Sequence, residues 1–316
     1  KEWYLMQTRS IGSLHVSVVG IGCNNFGRQL DLSATREVIH AALDNGITFF
    51  DTADSYGKPM TSSECFIGDV LKPHRNQVVI ATKFGRFLDA QRHGAKPDYV
   101  RSATEASLKR LQTDHIDLLQ LHIPDPETPL EDTLGALNDL VKQGKVREIG
   151  CSNFTADELR NATRTARAKS IAGFSSTQDE YSMLYRKPVA EILEECRQAD
   201  MKFIPFRPLY NGLLTGRYGS GSAIPVESRI GAKGVDDQAQ ILSKDNLDRV
   251  ALLTKFAQEH GRTLLELAFS WLLSHNIIPS IIAGVSSPSQ VISNAAAADG
   301  RHLNDDEIRQ VNAILG

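Results

Sequence analysis

The sequence predicts a (β/α)8 barrel, the TIM-barrel class of α/β protein, on three observations. Short apolar runs alternate with stretches of helical length along all 316 residues. Eight such runs are recognisable, the number that closes a parallel barrel. Several are apolar throughout instead of alternating, as strands covered on both faces must be.

The runs are Val18–Gly22, Thr48–Asp51, Val78–Lys83, Ile116–His122, Val146–Cys151, Gly173–Gln178, Lys202–Phe206 and Ser280–Gly284. Ahead of them, Leu5–Thr8 and Leu14–Val16 flank an Ile11-Gly12-Ser13 turn, which predicts a hairpin closing the barrel floor. Ser33 opens a helix carrying Val38, Ile39, Ala42 and Leu43 that stops at Asn45-Gly46. Asp98 is placed to cap a second that runs through Tyr99 and Leu108 to Leu111. After Pro129, Leu130, Leu134, Leu137, Leu140 and Val141 recur at helical spacing, with Gly144 as the stop. Tyr218–Lys244 is rich in Gly, Ser and charge and reads as a long functional loop. Two helices, at 245–259 and 264–275, precede the last strand, and a final one begins near 305. No linker interrupts the pattern, so one domain over 1–316 is expected.

Composition narrows the function. With 35 basic and 38 acidic residues the net charge is −3, which gives no electrostatic basis for nucleic acid or an acidic membrane as partner. No apolar run nears the roughly 18 residues of a membrane span, and no signal pattern opens the chain. The four cysteines, Cys23, Cys65, Cys151 and Cys196, lie far apart, as isolated thiols in a reducing compartment do. The expected setting is cytoplasmic; oligomeric state is left open. Gly20-Ile21-Gly22 begins a dinucleotide fingerprint, but Asn25 breaks it. None of the nine histidines forms the H-x-H pair of a metal-dependent barrel hydrolase.

Barrel enzymes place their chemistry at the C-terminal ends of the strands. Those ends carry Asn24-Asn25, Asp51, Lys83, His122, Ser152-Asn153, Gln178, Phe206-Arg207 and Gly284 with Ser286. Four residues at three successive ends make a proton-transfer device. Tyr56 is a candidate general acid for a carbonyl oxygen that receives hydride. A free phenol titrates near 10, so it needs tuning, and a lysine ammonium at hydrogen-bond distance would lower that value. Lys83 can play this part, Asp51 can supply its counter-charge, and His122 can hold the carbonyl oxygen. Each has a plainer reading taken alone: a packing ring, a solvated rim cation, a turn cap, a core histidine. Their co-occurrence favours the site.

These residues sit in stretches that resemble the aldo-keto reductases over essentially the whole chain. The matching segments are Gly46 through Gly57, Ala81-Thr82-Lys83-Phe84, Ile116 through His122, Gly150 through Phe154, Gln178 through Ser182, Gly212 through Gly216 and Gln290 through Asn294. The likeness is greatest to bacterial members of the branch that includes the potassium-channel β-subunits. The resemblance implies an NAD(P)H-dependent oxidoreductase interconverting an aldehyde or ketone and an alcohol, with Asp51, Tyr56, Lys83 and His122 as its catalytic tetrad and no metal. It implies that Ser152, Asn153 and Gln178 hold the nicotinamide carboxamide, that Phe206 stacks on the ring, and that Arg217 meets the pyrophosphate. Gly284, Ser286, Gln290 and Asn294 belong to the implied cofactor set. Relatives often place a cation just after the glycine that matches Gly284, where this chain has Val285-Ser286-Ser287. Arg229 matches a lid arginine that reaches the same 2′-phosphate, so NADP is expected, with NAD or dual use open. Arg207 stands where the family more often has Ser or an aromatic; it would bind a substrate anion or pair with a nearby acid. The alternative to an enzyme is a cofactor-sensing regulatory subunit with little turnover.

Overall fold

The computed structural model describes residues 6–218, 224–225, 228–298 and 301–316. Eight parallel strands close into a barrel: β3 (Val19–Gly22), β4 (Phe49–Asp51), β5 (Val79–Phe84), β6 (Ile116–Leu121), β7 (Val146–Ser152), β8 (Ser176–Glu180), β9 (Lys202–Phe206) and β10 (Ile281–Gly284). They pair in chain order, and β10 closes the ring against β3 and β9. Helices α1 (Leu32–Asp44), α2 (Ser62–Leu71), α3 (Pro97–Leu111), α4 (Leu130–Lys142), α5 (Ala156–Lys169) and α6 (Ala190–Ala199) follow the first six barrel strands. Beyond β9 come α7 (Val235–Ile241), α8 (Lys244–Glu259) and α9 (Leu264–Leu273); α10 (Pro288–Ala297) and α11 (Asp305–Leu315) follow β10. No helix among the described residues is long and apolar enough to cross a membrane.

The barrel floor is closed by the antiparallel hairpin of β1 (Thr8–Ile11) and β2 (Leu14–Ser17). Ile11, Leu14 and Val16 join Phe49, Ala81, Leu118, Ile204 and Ile282 in an apolar cluster inside the strands, separate from the larger core under the helices. The first arm lies three residues later than its sequence prediction, and Leu5 falls outside the described residues. Ile11 belongs to the strand, because the reversal is made by Gly12 with φ +53 and fixed by Ser13, whose N–H and hydroxyl both donate to Glu148 Oε1 at 2.8 Å.

Two caps differ from expectation. Asp31, not Ser33, starts α1, its carboxylate accepting from the Ala34 N–H at 2.9 Å. Asp98 does not cap α3; Pro97 occupies the first turn, and Asp98 contributes only a favourable charge beside the helix N-terminus. The strand predicted at Gly173–Gln178 begins at Ser176, since Phe174 packs edge-on against Phe154 outside the ladder. Within the long loop the acid-rich stretch after Gly234 is helical, as α7, while 219–223 and 226–227 lie outside the described residues.

Candidate active site

A cleft of about 870 Å³ opens at the C-terminal ends of the barrel strands. Asp51, Tyr56, His122, Ser152, Asn153, Gln178, Phe206, Arg207, Arg229 and Gly284 all line it.

Under the cleft lies a buried ion pair. Asp51 ends β4, Lys83 projects from β5 beside it, and both are almost completely shielded from solvent. Lys83 Nζ donates to Asp51 Oδ1 at 2.7 Å, to Oδ2 at 2.6 Å and to the Thr52 carbonyl at 3.0 Å. Burial works against the Lys83 ammonium, but Asp51 and Tyr56 outweigh it and hold its pKa above the ordinary lysine value. Gln120 Nε2 at 3.2 Å and Gln178 Nε2 at 2.9 Å add two donors to Asp51 Oδ1. Gln120 was not singled out from the sequence. A glutamine inside Leu118-Leu119-Gln120-Leu121, a strand buried along its whole length, was the available signal.

Tyr56 stands over this pair. Lys83 Nζ lies 5.3 Å from the centre of its ring, and the His122 imidazole meets that ring edge-on with centroids 5.9 Å apart. Lys83 therefore reaches Tyr56 across the ring face, not through the hydrogen bond to the phenol that the sequence predicts. Asp51 and Thr52 already take its three N–H groups. Burial raises the Tyr56 phenol above its usual value, and the Lys83 charge opposes the rise without cancelling it. The phenol therefore carries its proton at neutral pH.

His122 follows β6, its backbone N–H donating to the Phe84 carbonyl at 2.8 Å. Burial first, then the charges of Lys83 and Arg86, push its pKa down to about 2, so the imidazole is neutral at physiological pH. Its Nδ1 is buried and has no hydrogen-bond partner among the described residues. An orphaned acceptor is more readily tolerated than an orphaned N–H, which puts the ring proton on Nε2, the nitrogen left to act as a donor.

The opposite wall carries amides. Asn153 Nδ2 donates to Ser152 Oγ at 2.9 Å and to the His122 carbonyl at 3.0 Å, and Ser152 Oγ donates to the Gln178 carbonyl at 2.8 Å. Asn153 holds a left-handed backbone at φ 62. Asn153 Oδ1 and Gln178 Oε1 accept no hydrogen bond from any described residue, so two acceptors remain for the NH2 of a carboxamide. The half-buried face of Phe206 lies alongside. This set fits a nicotinamide.

The outer residues divide. Arg229 lies against Gly284, where a Cβ would stand 3.3 Å from its Nη1, and no described residue pairs with it. Arg207, with φ 52, is turned onto Glu180 Oε2 at 2.6 Å. Ser286 donates its N–H to Gln290 Oε1 at 2.8 Å just before α10, and Ser287 caps that helix. Asn294 is buried in α10, and Arg217 is exposed; neither lines the cleft. Lining residues not named from the sequence as site residues include Arg28, Lys58, Arg86, Asp179 and Glu180.

A closed parallel barrel with a buried ion pair, a phenol and an imidazole at its C-terminal mouth defines a class of barrel oxidoreductase. The model of the aldo/keto reductase family matches residues 18–315, and the chain belongs to that family. It is an enzyme of a family that reduces carbonyl compounds with nicotinamide cofactors. It is 32% identical over 303 residues to a probable voltage-gated potassium channel subunit beta of Arabidopsis thaliana, covering 93% of this chain and 92% of that one. The L-glyceraldehyde 3-phosphate reductase of Escherichia coli (strain K12) is 30% identical over 320 residues, covering 97% and 92%. Among solved structures, the holo form of aldo-keto reductase AKR11C1 from Bacillus halodurans superposes with a TM-score of 0.80 at 27% identity, covering 98% of this chain and 96% of that one.

Proposed function

We propose that the chain is an NADP(H)-dependent reductase of aldehydes or ketones in which Tyr56 is the general acid. The observation that carries this reading is the Asp51–Lys83 pair beneath the Tyr56 ring, with neutral His122 at its edge. When bound, the cofactor supplies the hydride. His122 Nε2–H donates to the carbonyl oxygen and fixes its position, and Tyr56 passes its proton to that oxygen as negative charge develops there. The tyrosinate left behind is what Lys83 stabilises, at 5.3 Å from the ring centre in a low-dielectric pocket. Asp51 keeps that lysine charged, with Gln120 and Gln178 holding the carboxylate in place. Ser152, Asn153 and Gln178 would cradle the carboxamide, and Phe206 would give its ring a face to lie on. Arg229 with the Ser286-Ser287 start of α10 would take a 2′-phosphate, since a cation and a helix N-terminus both favour a dianion.

Removing the phenolic hydroxyl removes the acid and little else. Tyr56→Phe is expected to lower turnover by at least a hundredfold, the lower end of general-acid contributions, while NADPH affinity stays within about threefold of the wild type. Steady-state NADPH oxidation with a panel of aldehydes and a fluorescence titration of the cofactor check the two halves. Undiminished turnover would remove Tyr56 from the role. Tight cofactor binding with no turnover of any carbonyl by the wild type would favour the sensing subunit instead.

A further inference from the structure

The barrel order divides the mouth into two arcs. The ends of β7, β8, β9 and β10 and the loops after them carry the residues proposed for the cofactor: Ser152, Asn153, Gln178, Phe206, Arg229 and Gly284. Loops after β3, β4, β5 and β6 carry Arg28, Tyr56 with Lys58, Arg86 and His122. The two groups proposed to touch the carbonyl therefore share their arc with three cations.

Those cations differ from the other charges of the cleft. Arg28, Lys58 and Arg86 are exposed into it, and no described residue forms an ion pair or side-chain hydrogen bond with any of them. The acids of the cleft lie elsewhere or are already matched. Asp51 is held by Lys83, and Glu180 by Arg207. Asp179 stands on the cofactor arc, its pKa raised to about 6 by burial and by Glu180. The arc around Tyr56 is thus positive, with no counter-ion for these three cations among the described residues. Its geometry is anchored: the Lys58 N–H donates to the Gly27 carbonyl at 2.7 Å, tying the Arg28 loop to the Tyr56 loop, and the Gly94 N–H donates to the Gly85 carbonyl at 3.0 Å beside Arg86. Arg86 is also near enough for its charge to lower the proton affinity of both Tyr56 and His122. Cations that line one concave site focus a positive field there, and that field draws in an anionic ligand.

Resting on the reductase reading above, we propose that the substrate is a carbonyl compound bearing a terminal anion, phosphate or carboxylate, gripped by Arg86 and Lys58 with Arg28 behind them. The anion lies away from the reacting carbon, so the grip acts mainly on KM and is screened by salt.

Matched aldehydes test this: glyceraldehyde 3-phosphate against glyceraldehyde, and 4-carboxybenzaldehyde against benzaldehyde, each with NADPH. In at least one pair the anionic member is expected to have a kcat/KM at least tenfold higher, and the better pair identifies phosphate or carboxylate. That ratio should shrink on going from about 0.05 to 0.5 M salt. Arg86→Gln and Lys58→Gln should each cut it severalfold, and the double variant at least tenfold. Equal use of both members, or a ratio the variants leave untouched, overturns the anion site and leaves the reductase reading standing. If the wild type reduces neither member of either pair, the reductase reading fails first. The anion site is then decided by calorimetry with inorganic phosphate, where binding that the double variant loses supports it and binding absent from the wild type, or kept by the variant, overturns it.

Discussion

Asp54 shows how closely one residue's protonation is coupled to the fold around the site. It follows β4 by three residues, is 1% exposed, and donates its backbone N–H to the Lys83 carbonyl at 3.0 Å. No described residue forms a hydrogen bond with either carboxyl oxygen. Its neighbour Glu64, equally buried, is held by Thr82 Oγ1 at 2.5 Å and Arg110 Nε at 2.6 Å. Burial, then Glu64, raise the Asp54 pKa to about 7. An unfolded aspartate titrates near 3.9, so between roughly pH 4 and 7 the folded state keeps a proton the unfolded state has lost. Stability from this group is complete below that window and lost as pH rises through it, by up to about 4 kcal/mol at pH 8. Asp54→Asn imitates the protonated acid. It is expected to match the wild type in urea midpoint at pH 4 and exceed it at pH 8; an offset that does not change with pH would show that Asp54 is not titrating there. Asp51, Lys83 and His122 could be placed at or under the cleft from the sequence because each is a polar residue at or just past the end of an apolar strand, and Tyr56 because it lies in the loop that follows one. Asp54 and Arg86 were not, because what matters in them is a missing partner, and no local pattern records that.

At the scale of elements, the barrel strands were readable where burial on both faces imposes an apolar run. The reading slipped where that rule does not apply. Ser176-Thr177-Gln178-Asp179-Glu180 is a central strand with almost no apolar residue, because its upper end serves the cleft. The apolar Phe174 nearby drew the predicted boundary too early. Caps slipped by one or two residues for a similar reason: Asp31 and Ser33 are both good N-caps, and only the direction of the chain entering α1 selects between them. The hairpin was expected as a floor plug, and its energetic weight follows from Ile11, fully buried at the bottom of the barrel. Ile11→Ala should cost about 2–5 kcal/mol, the range for a large buried aliphatic side chain cut back to alanine. The site lies at the other end of the strands, so NADPH affinity should stay unchanged. Chemical denaturation checks the first part and titration the second. A loss below about 1 kcal/mol would mean that β1 and β2 cover the barrel without belonging to its core.

Across the whole molecule, charge is unevenly placed. The chain carries a net −3, yet its cleft gathers Arg28, Lys58, Arg86, Arg207 and Arg229, and among the described lining residues only Asp179 and Glu180 are left facing them once Asp51 is paired with Lys83. A concave site with low-dielectric walls concentrates such a field, so an acidic protein can still draw anions to its mouth. Two different anions are expected there, and barrel order keeps them apart, the cofactor phosphate on the Arg229 arc and the substrate anion on the Arg86 arc. On the proposed reading, Arg229 is the cation expected to separate NADPH from NADH. Burial and the nearby Arg207 both act against its charge, lowering its pKa from the ordinary arginine value; Glu180 opposes them only in part, and no described residue forms an ion pair with it. A 2′-phosphate would. Hydrogen bonds to charged groups contribute about 1.5–3 kcal/mol, or roughly ten- to a hundredfold in affinity. NADPH should therefore bind at least tenfold more tightly than NADH and raise the melting temperature further at equal concentration. Arg229→Ala should bring the two within about threefold, by weakening NADPH and leaving NADH nearly untouched, because the rest of the cradle is common to both. Calorimetric titration of each dinucleotide into wild type and variant measures the four constants. Equal affinity of the wild type for NADPH and NADH, or a variant that weakens both alike, would show that Arg229 holds a feature the two cofactors share and that the expected preference for NADP has another source or does not exist.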